Sequence, residues 1–345
     1  MMRALHCLPP FLLMLGAAGN AASAAGAPPA TMQAAAIDHA GGPEVLTLKT
    51  LPVPKPDADE VLIAVHTAGV GSWDIDLREH PGELKNAHFP LVLGTDGAGV
   101  VAAVGSGVHG FKPGDQVYAY SWDNPKGGFY AEYVAVPAER VGPLPHGLTL
   151  TQAGAIAVTA LTALQGVDDA LHLKAGETVL IHGAAGGVGT LAVQFAKLRG
   201  ARVLASVSAP DEFEFVKGLG ADAVVDGRHG DIAGAAHAFA PQGLDAVLAF
   251  AGGEPLEHGI DALRAGGRVA YPSGVHPAPK PREGLNVVKY TAIPGAAEYA
   301  RLNTAIEAAK LNVPIAAQFP LSAAAQAQER VAAGHVAGKV VLQVH

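Results

Sequence analysis

The chain has 345 residues, a length that suggests two domains with separate hydrophobic cores. Half of its residues are hydrophobic and 16% are charged, a composition that excludes an intrinsically disordered chain. The net charge of −8 predicts that the protein does not bind nucleic acid or an anionic membrane surface.

The first 30 residues have the pattern of a secretory signal peptide. An apolar stretch at positions 12–18 precedes the small residues Ala22-Ser23-Ala24, which are typical of a cleavage site. We therefore expect a signal peptide over residues 1–24 and a periplasmic or otherwise exported protein. The alternative is a start at Met32, which would leave the protein in the cytoplasm. Neither this stretch nor any later one reaches the roughly 20 apolar residues of a membrane-spanning helix, so no span is predicted.

Residues 32–150 contain short runs of β-type residues separated by glycine and proline. Examples are Val61–Val65 and Gln116–Tyr120, which are bounded by turn sequences such as Pro113-Gly114. Many short strands with this spacing are typical of a small, irregular barrel. The first half of the chain is therefore predicted to form a β domain.

From Thr178 onward, apolar runs alternate with amphipathic stretches. Five runs are predicted to be buried strands: Thr178–His182, Arg202–Val207, Ala221–Asp226, Leu244–Ala251 and Arg268–Tyr271. Alternating β and α elements predict a doubly wound parallel sheet. The last helix of this region is expected to begin near Pro255 and to end after Leu263, at Gly266-Gly267. The chain then continues as helix and ends in a strand-like segment, Lys339–Val344, which could return to the first domain.

The strongest motif is a glycine-rich turn between a strand and a helix in residues 178–200. The turn runs from Gly183 to Gly189, and apolar residues at helical spacing follow it. Glycines let the backbone approach a pyrophosphate, and the start of a helix offers free N–H groups to it. A dinucleotide site is therefore predicted at Ala184, Ala185, Gly186, Gly187, Val188 and Gly189. The alternative is a turn whose glycines serve only close helix–strand packing.

The strand after this helix predicts which nicotinamide cofactor binds. Proteins that prefer NAD place a carboxylate near its end, whereas this strand ends in Ser206-Val207-Ser208. The serines are predicted to contact the adenosine ribose, and the missing carboxylate favours NADP(H). Two features weaken this preference: Asp211 and Glu212 follow closely, and no lysine or arginine stands beside the serines.

At this point the sequence resembles a known family, the quinone oxidoreductase (zeta-crystallin) branch of the medium-chain dehydrogenase/reductase superfamily. The resemblance covers the chain from Met32 to its end and includes the glycine-rich turn and the segments at 40–46, 67–79, 89–118, 127–137, 219–226 and 338–342. It implies a GroES-like catalytic domain formed by residues 32–155 and 296–345. A Rossmann NADP-binding domain, residues 156–295, would be inserted into it. The resemblance also implies a cleft between the two domains and a homodimer.

The same resemblance assigns roles to residues outside the turn. Thr162 corresponds to a threonine beside the nicotinamide phosphate, and Ser273 and Gly274 correspond to a loop near the nicotinamide. Lys339 corresponds to the lysine of a late glycine-lysine pair and is included with the cofactor-binding residues. The alternatives are a packing role for Thr162, an ordinary turn role for Ser273 and a surface position for Lys339.

Zinc alcohol dehydrogenases of the same superfamily bind their catalytic metal through cysteine and histidine in segments that match Val70–Asp74 and Gly94–Asp96. Here those segments offer Gly71 and Thr95, and the single cysteine of the chain is Cys7. No metal site is therefore predicted. Without a Lewis acid, the expected acceptors are already electrophilic, namely quinones or α,β-unsaturated carbonyl compounds.

The predicted function is NADPH-dependent reduction of such an acceptor. Trp73, Arg78 and Tyr130 are the candidates for lining the substrate pocket, and the two aromatic rings are alternatively packing residues. The sequence assigns no residue as the proton donor. An enoyl-thioester reductase and a catalytically idle NADPH-binding protein are the competing functions.

Overall fold

A computed structural model describes residues 27–85 and 88–345 of the chain. The predicted signal peptide and Cys7 lie outside the described residues. In the described part, strands form three sheets, and helices pack on and between them. In chain order the strands are β1 (Thr31–Ile37), β2 (Thr47–Pro52), β3 (Glu60–Val70), β4 (Leu91–Val92), β5 (Asp96–Val104), β6 (Gln116–Tyr120), β7 (Tyr133–Pro137), β8 (Val141–Pro143), β9 (Thr178–His182), β10 (Arg202–Val207), β11 (Ala223–Asp226), β12 (Leu244–Ala249), β13 (Leu263–Pro272), β14 (Asn286–Tyr290), β15 (Ile315–Pro320) and β16 (Lys339–Gln343).

The α-helices of the same ranges are mostly short. They are α1 (Ser72–Glu79), α2 (Leu150–Gly154), α3 (Ala157–Gln165), α4 (Gly189–Leu198), α5 (Phe213–Gly218), α6 (Ile232–Phe239), α7 (Glu254–Asp261), α8 (Ala296–Ala309) and α9 (Ala324–Ala332). None of the helices in the described part of the chain is both long enough and apolar enough to cross a membrane.

The strands of the first half of the chain form two sheets together with the last two strands, and all pairings in them are antiparallel except that of β15 with β16. A three-stranded sheet has the order β2-β1-β4, and a seven-stranded sheet has the order β15-β16-β3-β5-β6-β8, with β7 paired to β3. β3 is the centre of the larger sheet because it is 11 residues long and bulges twice against β5, which bends it enough to pair with several neighbours. The predicted β domain is therefore present.

The third sheet has six strands in the order β11-β10-β9-β12-β13-β14, and all of its pairings are parallel. All five residues of β9 are buried, as expected of a strand with helices on both faces of its sheet. The prediction of a doubly wound parallel sheet is confirmed. The strand order reverses beside β9, and ligands of such sheets bind outside the carboxyl ends of the strands at that point.

The end of the chain returns to the seven-stranded sheet. β16 pairs antiparallel with β3, so that Val341 lies opposite Gly69, and β15 pairs with β16. The backbone N–H of Gly338, just before β16, donates a hydrogen bond to Ala185 of the glycine-rich turn. The start of β16 therefore joins the seven-stranded sheet to the glycine-rich turn of the parallel sheet.

Gly266 and Gly267 were predicted to follow a helix, and this prediction is wrong. α7 ends at Asp261, and both glycines lie inside β13. Gly266 has a φ of 73°, a backbone conformation that is strained for a residue with a side chain, and its N–H donates to the carbonyl oxygen of Gly284. The glycine therefore allows an irregular turn of the backbone inside this strand.

Candidate active site

The glycine-rich turn leaves the carboxyl end of β9 and enters α4. A Cβ atom on Gly189 would lie 2.2 Å from the carbonyl oxygen of Gly183 and 2.7 Å from the Cα of Ala184. Because both neighbours are backbone atoms, only glycine allows the first residue of α4 to pack this closely against the end of β9. The turn therefore has the tight shape that the sequence predicts.

Several N–H groups of the turn are free to bind a ligand. Among the described residues, the N–H groups of Ala185, Gly187, Val188 and Gly189 donate to no backbone acceptor, and the last three lie at the positive end of the α4 dipole. A Cβ atom on Gly186 would meet only the carbonyl oxygen of Gly183, at 3.5 Å. These features fit the diphosphate of a dinucleotide, which needs donors and close access to the backbone.

Lys339 places a buried cation beside this turn. Its side chain is 3% exposed and passes close to Gly187, where a Cβ atom would lie 2.6 Å from the lysine Cδ. The ammonium donates a hydrogen bond of 3.3 Å to the carbonyl oxygen of Val70, at the end of β3. Burial lowers the pKa of Lys339, whereas the charges of Asp96 and Asp74 act in the opposite direction. The alternative of a surface lysine is therefore not what the structure shows.

The indole of Trp73 fills the space between Gly71 and Thr95. A Cβ atom on Gly71 would lie 2.2 Å from the indole Cε2, so the ring is in contact with the backbone of that residue. Its Nε1–H donates a 2.6 Å hydrogen bond to the Thr95 hydroxyl, and the Lys339 ammonium lies 5.2 Å from the ring centroid. Trp73 is half-buried.

Two fully buried carboxyl groups lie behind this ring. Asp74 Oδ2 accepts hydrogen bonds from the N–H of Gly71 and from the Tyr130 hydroxyl, at 2.9 and 3.2 Å. Asp96 Oδ2 accepts one from the N–H of Val158, at 3.0 Å. In each residue the Oδ1 atom has no partner among the described residues. Burial raises the pKa of both groups, and that of Asp74 to about 7.

Asp74 therefore makes stability depend on pH. Between pH 3.8, its ordinary pKa, and about 7, the folded protein holds a proton that the unfolded chain has released. Through this group the free energy of unfolding falls as the pH rises across that range. We expect Asp74→Asn, which keeps an acceptor oxygen but has no charge, to lose less stability than the wild type between pH 5 and 7.5. Urea titrations of both proteins at the two pH values measure the difference, and equal losses would contradict the assignment.

Tyr130 and Arg78, two of the predicted pocket residues, lie in the interior. Tyr130 is fully buried, and the Arg78 side chain is 3% exposed. Arg78 donates to the carbonyl oxygen of Gly41 and to Oε1 of Gln328, so it joins α1 to α9. Of the three predicted residues, Trp73 is the one that is not buried.

Tyr290 connects Thr162 to the loop that contains Ser273 and Gly274. The Tyr290 hydroxyl donates to the carbonyl oxygen of Thr162, and its own carbonyl oxygen accepts the N–H of Ser273, both at 2.9 Å. The Thr162 hydroxyl itself donates to Val158 within α3, at 2.8 Å. Gly274 has open space around its Cα. The loop after β13 and the end of α3 thus lie side by side at the carboxyl edge of the parallel sheet.

The two serines predicted to contact the ribose already have partners. The Ser206 side chain is buried and lies 2.6 Å from Nδ1 of His182, whose pKa burial lowers to about 4, which keeps the imidazole neutral. The Ser208 hydroxyl donates to Oε2 of Glu212, at 3.0 Å. The sequence alone does not identify His182 and Glu212 as the hydrogen-bond partners of these serines, because it shows only that Glu212 is acidic and close by.

The described residues contain no group of three or more histidine, cysteine, aspartate or glutamate side chains placed to hold a metal ion. The candidate site consists of the glycine-rich turn with its free N–H groups, the buried Lys339, the half-buried indole of Trp73, and the buried carboxyl groups of Asp74 and Asp96.

Comparison with known proteins agrees with this arrangement. The family model described as "Alcohol dehydrogenase GroES-like domain" matches residues 57–146, and the one described as "Zinc-binding dehydrogenase" matches residues 219–342. The quinone oxidoreductase of Mus musculus is 31% identical over 328 residues, which cover 90% of this chain and 97% of that relative.

Solved structures show the same fold. One described as an NAD-dependent alcohol dehydrogenase has a TM-score of 0.84 and 33% identity, and the match covers 91% of this chain and all of that one. The mycobacterial protein Rv1454c complexed with NADPH has a TM-score of 0.79 and 28% identity over the same share of this chain. The GroES-like and Rossmann-like parts that the sequence predicts are thereby confirmed.

Proposed function

The chain belongs to the quinone oxidoreductase (zeta-crystallin-like) branch of the medium-chain dehydrogenase/reductase superfamily and is an oxidoreductase, and we propose that it uses NADP(H) to reduce a quinone or an α,β-unsaturated carbonyl compound without zinc. The observation that carries the proposal is the Trp73 indole between Gly71 and Thr95. Zinc-dependent members of the superfamily hold their metal at the two corresponding positions. Here an aromatic surface stands there instead.

The cofactor would be held by groups of the glycine-rich turn, of the start of β16, of α3 and of the loop after β13. The free N–H groups of Gly187 and Val188 bind the diphosphate, and the Lys339 ammonium supplies a positive charge beside them. Thr162, Ser273 and Gly274 form the neighbouring wall at the nicotinamide end. When bound, the reduced nicotinamide supplies the hydride.

The acceptor would stack on Trp73. The indole is held in one orientation by the hydrogen bond to Thr95 and by contact with the backbone of Gly71, so it offers a fixed, flat surface. The Lys339 ammonium, 5.2 Å from the ring centroid, places positive charge where a quinone or enone oxygen becomes negative. A flat conjugated acceptor gains from both features, because its product anion is already delocalised.

The test is NADPH oxidation by the purified protein against a panel of quinones, enones and enoyl thioesters. We expect turnover with quinones or enones. Turnover confined to enoyl thioesters would favour the enoyl-thioester reductase. Stoichiometric NADPH binding without turnover on any acceptor would favour a cofactor-binding protein without catalysis.

Trp73→Ala is expected to raise KM for the preferred quinone at least about tenfold, because an aromatic contact of this kind contributes on the order of 1 kcal/mol beyond the apolar area it buries. Trp73→Phe is the matched control, since it keeps a flat ring and loses only the hydrogen bond to Thr95. It should retain most of the affinity. Initial rates at several quinone concentrations give both values, and an unchanged KM in the alanine variant would remove Trp73 from the acceptor site.

The proposal also includes a homodimer, which the family resemblance implies. Sedimentation equilibrium of the purified protein measures it directly, and a mass near 34.9 kDa at all concentrations would show a monomer.

A further inference from the structure

Two buried carboxyl groups share one buried ammonium group behind the Trp73 ring. Asp74 and Asp96 are fully buried, and Lys339 is a buried cation whose charge acts on both of them. Two carboxylates and one ammonium would leave one negative charge in the protein interior, where an unbalanced charge is costly. The cost is avoided when one carboxyl group holds a proton. An Oδ1 atom can carry this proton, since neither Oδ1 has a partner among the described residues.

The other side chains around Asp74 do not balance this charge. Tyr130 donates its hydroxyl to Asp74 Oδ2, at 3.2 Å, and burial raises the pKa of that hydroxyl well above its usual value, so it stays neutral. Arg78, one turn further along α1, is also buried, but it forms an ion pair with Glu79 at 2.6 Å. Gln328, on α9, is uncharged and donates to the carbonyl oxygen of Asp74. The unbalanced charge therefore belongs to the two aspartates.

Of the two carboxyl groups, Asp74 is the one that holds the proton. Burial raises the pKa of both groups, and at Asp96 the charge of Lys339 opposes this rise more strongly than any other group does. At Asp74 the charge of Asp96 acts more strongly than that of Lys339, and the pKa of Asp74 is raised to about 7. Asp96 is therefore the carboxylate that Lys339 stabilises. Near neutral pH, a change of charge close to Asp74 moves its proton on or off.

A bound diphosphate would change this balance through Lys339. The lysine side chain passes Gly187 of the glycine-rich turn, and its ammonium donates to the carbonyl oxygen of Val70. A diphosphate on the turn adds negative charge beside the same ammonium that stabilises the aspartates. In the low dielectric of the interior, this addition makes a second carboxylate still less favourable. The neutral form of Asp74 is therefore favoured in the complex.

We propose that Asp74 takes up a proton from solvent when NADP(H) binds, so that the complex holds a buried proton together with the hydride donor. The inference rests on the proposed function in one respect, namely that a dinucleotide binds at the glycine-rich turn. By reciprocity, the proton strengthens binding of the cofactor by the same factor by which the cofactor strengthens binding of the proton. The affinity for NADPH therefore falls as the pH rises from 7 to 8, because the free protein releases this proton at a lower pH than the complex does.

Isothermal titration of the full chain with NADPH at pH 8, in Tris and in HEPES, tests the inference without turnover. The two buffers release protons with different enthalpies, so the difference between the two observed binding enthalpies gives the number of protons taken up. A tenfold gain in the proton affinity of Asp74 corresponds to uptake of about 0.4 proton per cofactor at pH 8, and to binding about threefold weaker at pH 8 than at pH 7. We expect at least these values for the wild type.

Asp74→Asn, whose amide has no charge, should take up less than about 0.1 proton and should bind NADPH with nearly the same affinity at both pH values. Asp76→Asn is the matched control, because it removes a carboxyl group from an exposed position two residues further along α1. It should behave as the wild type does.

Absence of proton uptake in the wild type would overturn the inference, as would equal uptake in Asp74→Asn. Proton uptake by a wild type that reduces no acceptor would contradict the proposed function and leave the inference intact.

Discussion

Replacing Gly187 with aspartate is expected to weaken binding of NADPH at least about 100-fold, or by about 2.7 kcal/mol. The N–H of Gly187 is one of the free donors at the turn, and a side chain at this residue would extend toward Lys339. Aspartate would place a negative charge where the diphosphate binds and would pair with the lysine that the diphosphate needs. Fluorescence titration with NADPH measures the loss.

The fold should survive this substitution. The nearest atom to a Cβ on Gly187 is the Cδ of Lys339, the flexible part of a long side chain, whereas at Gly189 the nearest atoms belong to the backbone. Gly187→Asn is the matched control, because it has the size of aspartate without the charge. It should lose much less affinity than the aspartate variant. Undiminished affinity in Gly187→Asp, with an unchanged circular dichroism spectrum, would show that the diphosphate binds elsewhere.

The parallel sheet could be predicted because its central strands are buried on both faces and therefore form continuous apolar runs. β9 and β10 have the bounds that the sequence predicts, Thr178–His182 and Arg202–Val207. β14 escaped prediction because it is an edge strand without a fully buried residue, and its short sequence has no distinct alternation. A strand is recognised in the sequence by the apolar residues that it buries, and this edge strand has no fully buried residue.

The glycine-rich turn was predictable because its shape depends on residues that are neighbours in the sequence. The rest of the site depends on contacts between distant segments. Trp73 bonds to Thr95, and the Lys339 ammonium reaches Val70 across 269 positions of the chain. The local sequence around each of these residues does not predict their contacts. Glu212 is a nearer case, because its partner Ser208 is four residues away.

Quinone reduction is expected to continue unchanged in a strong chelator, with negligible zinc in the purified protein by elemental analysis. A catalytic zinc site takes three protein ligands and a water molecule. The two positions that would supply cysteine and histidine are Gly71 and Thr95, and the Trp73 ring occupies the space between them. The segment that matches the zinc-binding dehydrogenase family, residues 219–342, contains no cysteine. A zinc-dependent alcohol dehydrogenase assayed in the same chelator is the control that should lose its activity.

The same side chains predict which substrates react. Oxidation of a simple alcohol passes through an alkoxide, and a Lewis acid lowers that barrier by several kcal/mol. Here the cation near the ring is the single charge of the Lys339 ammonium, which stabilises an alkoxide less than a divalent metal ion bound to its oxygen would. A quinone needs less help because its product is a delocalised phenolate. We expect quinone reduction to exceed oxidation of an ethanol-like alcohol at least about 1000-fold in kcat/KM, which corresponds to about 4 kcal/mol. Loss of turnover in chelator, or faster oxidation of the alcohol, would require a metal that these residues do not bind and would overturn the zinc-free mechanism.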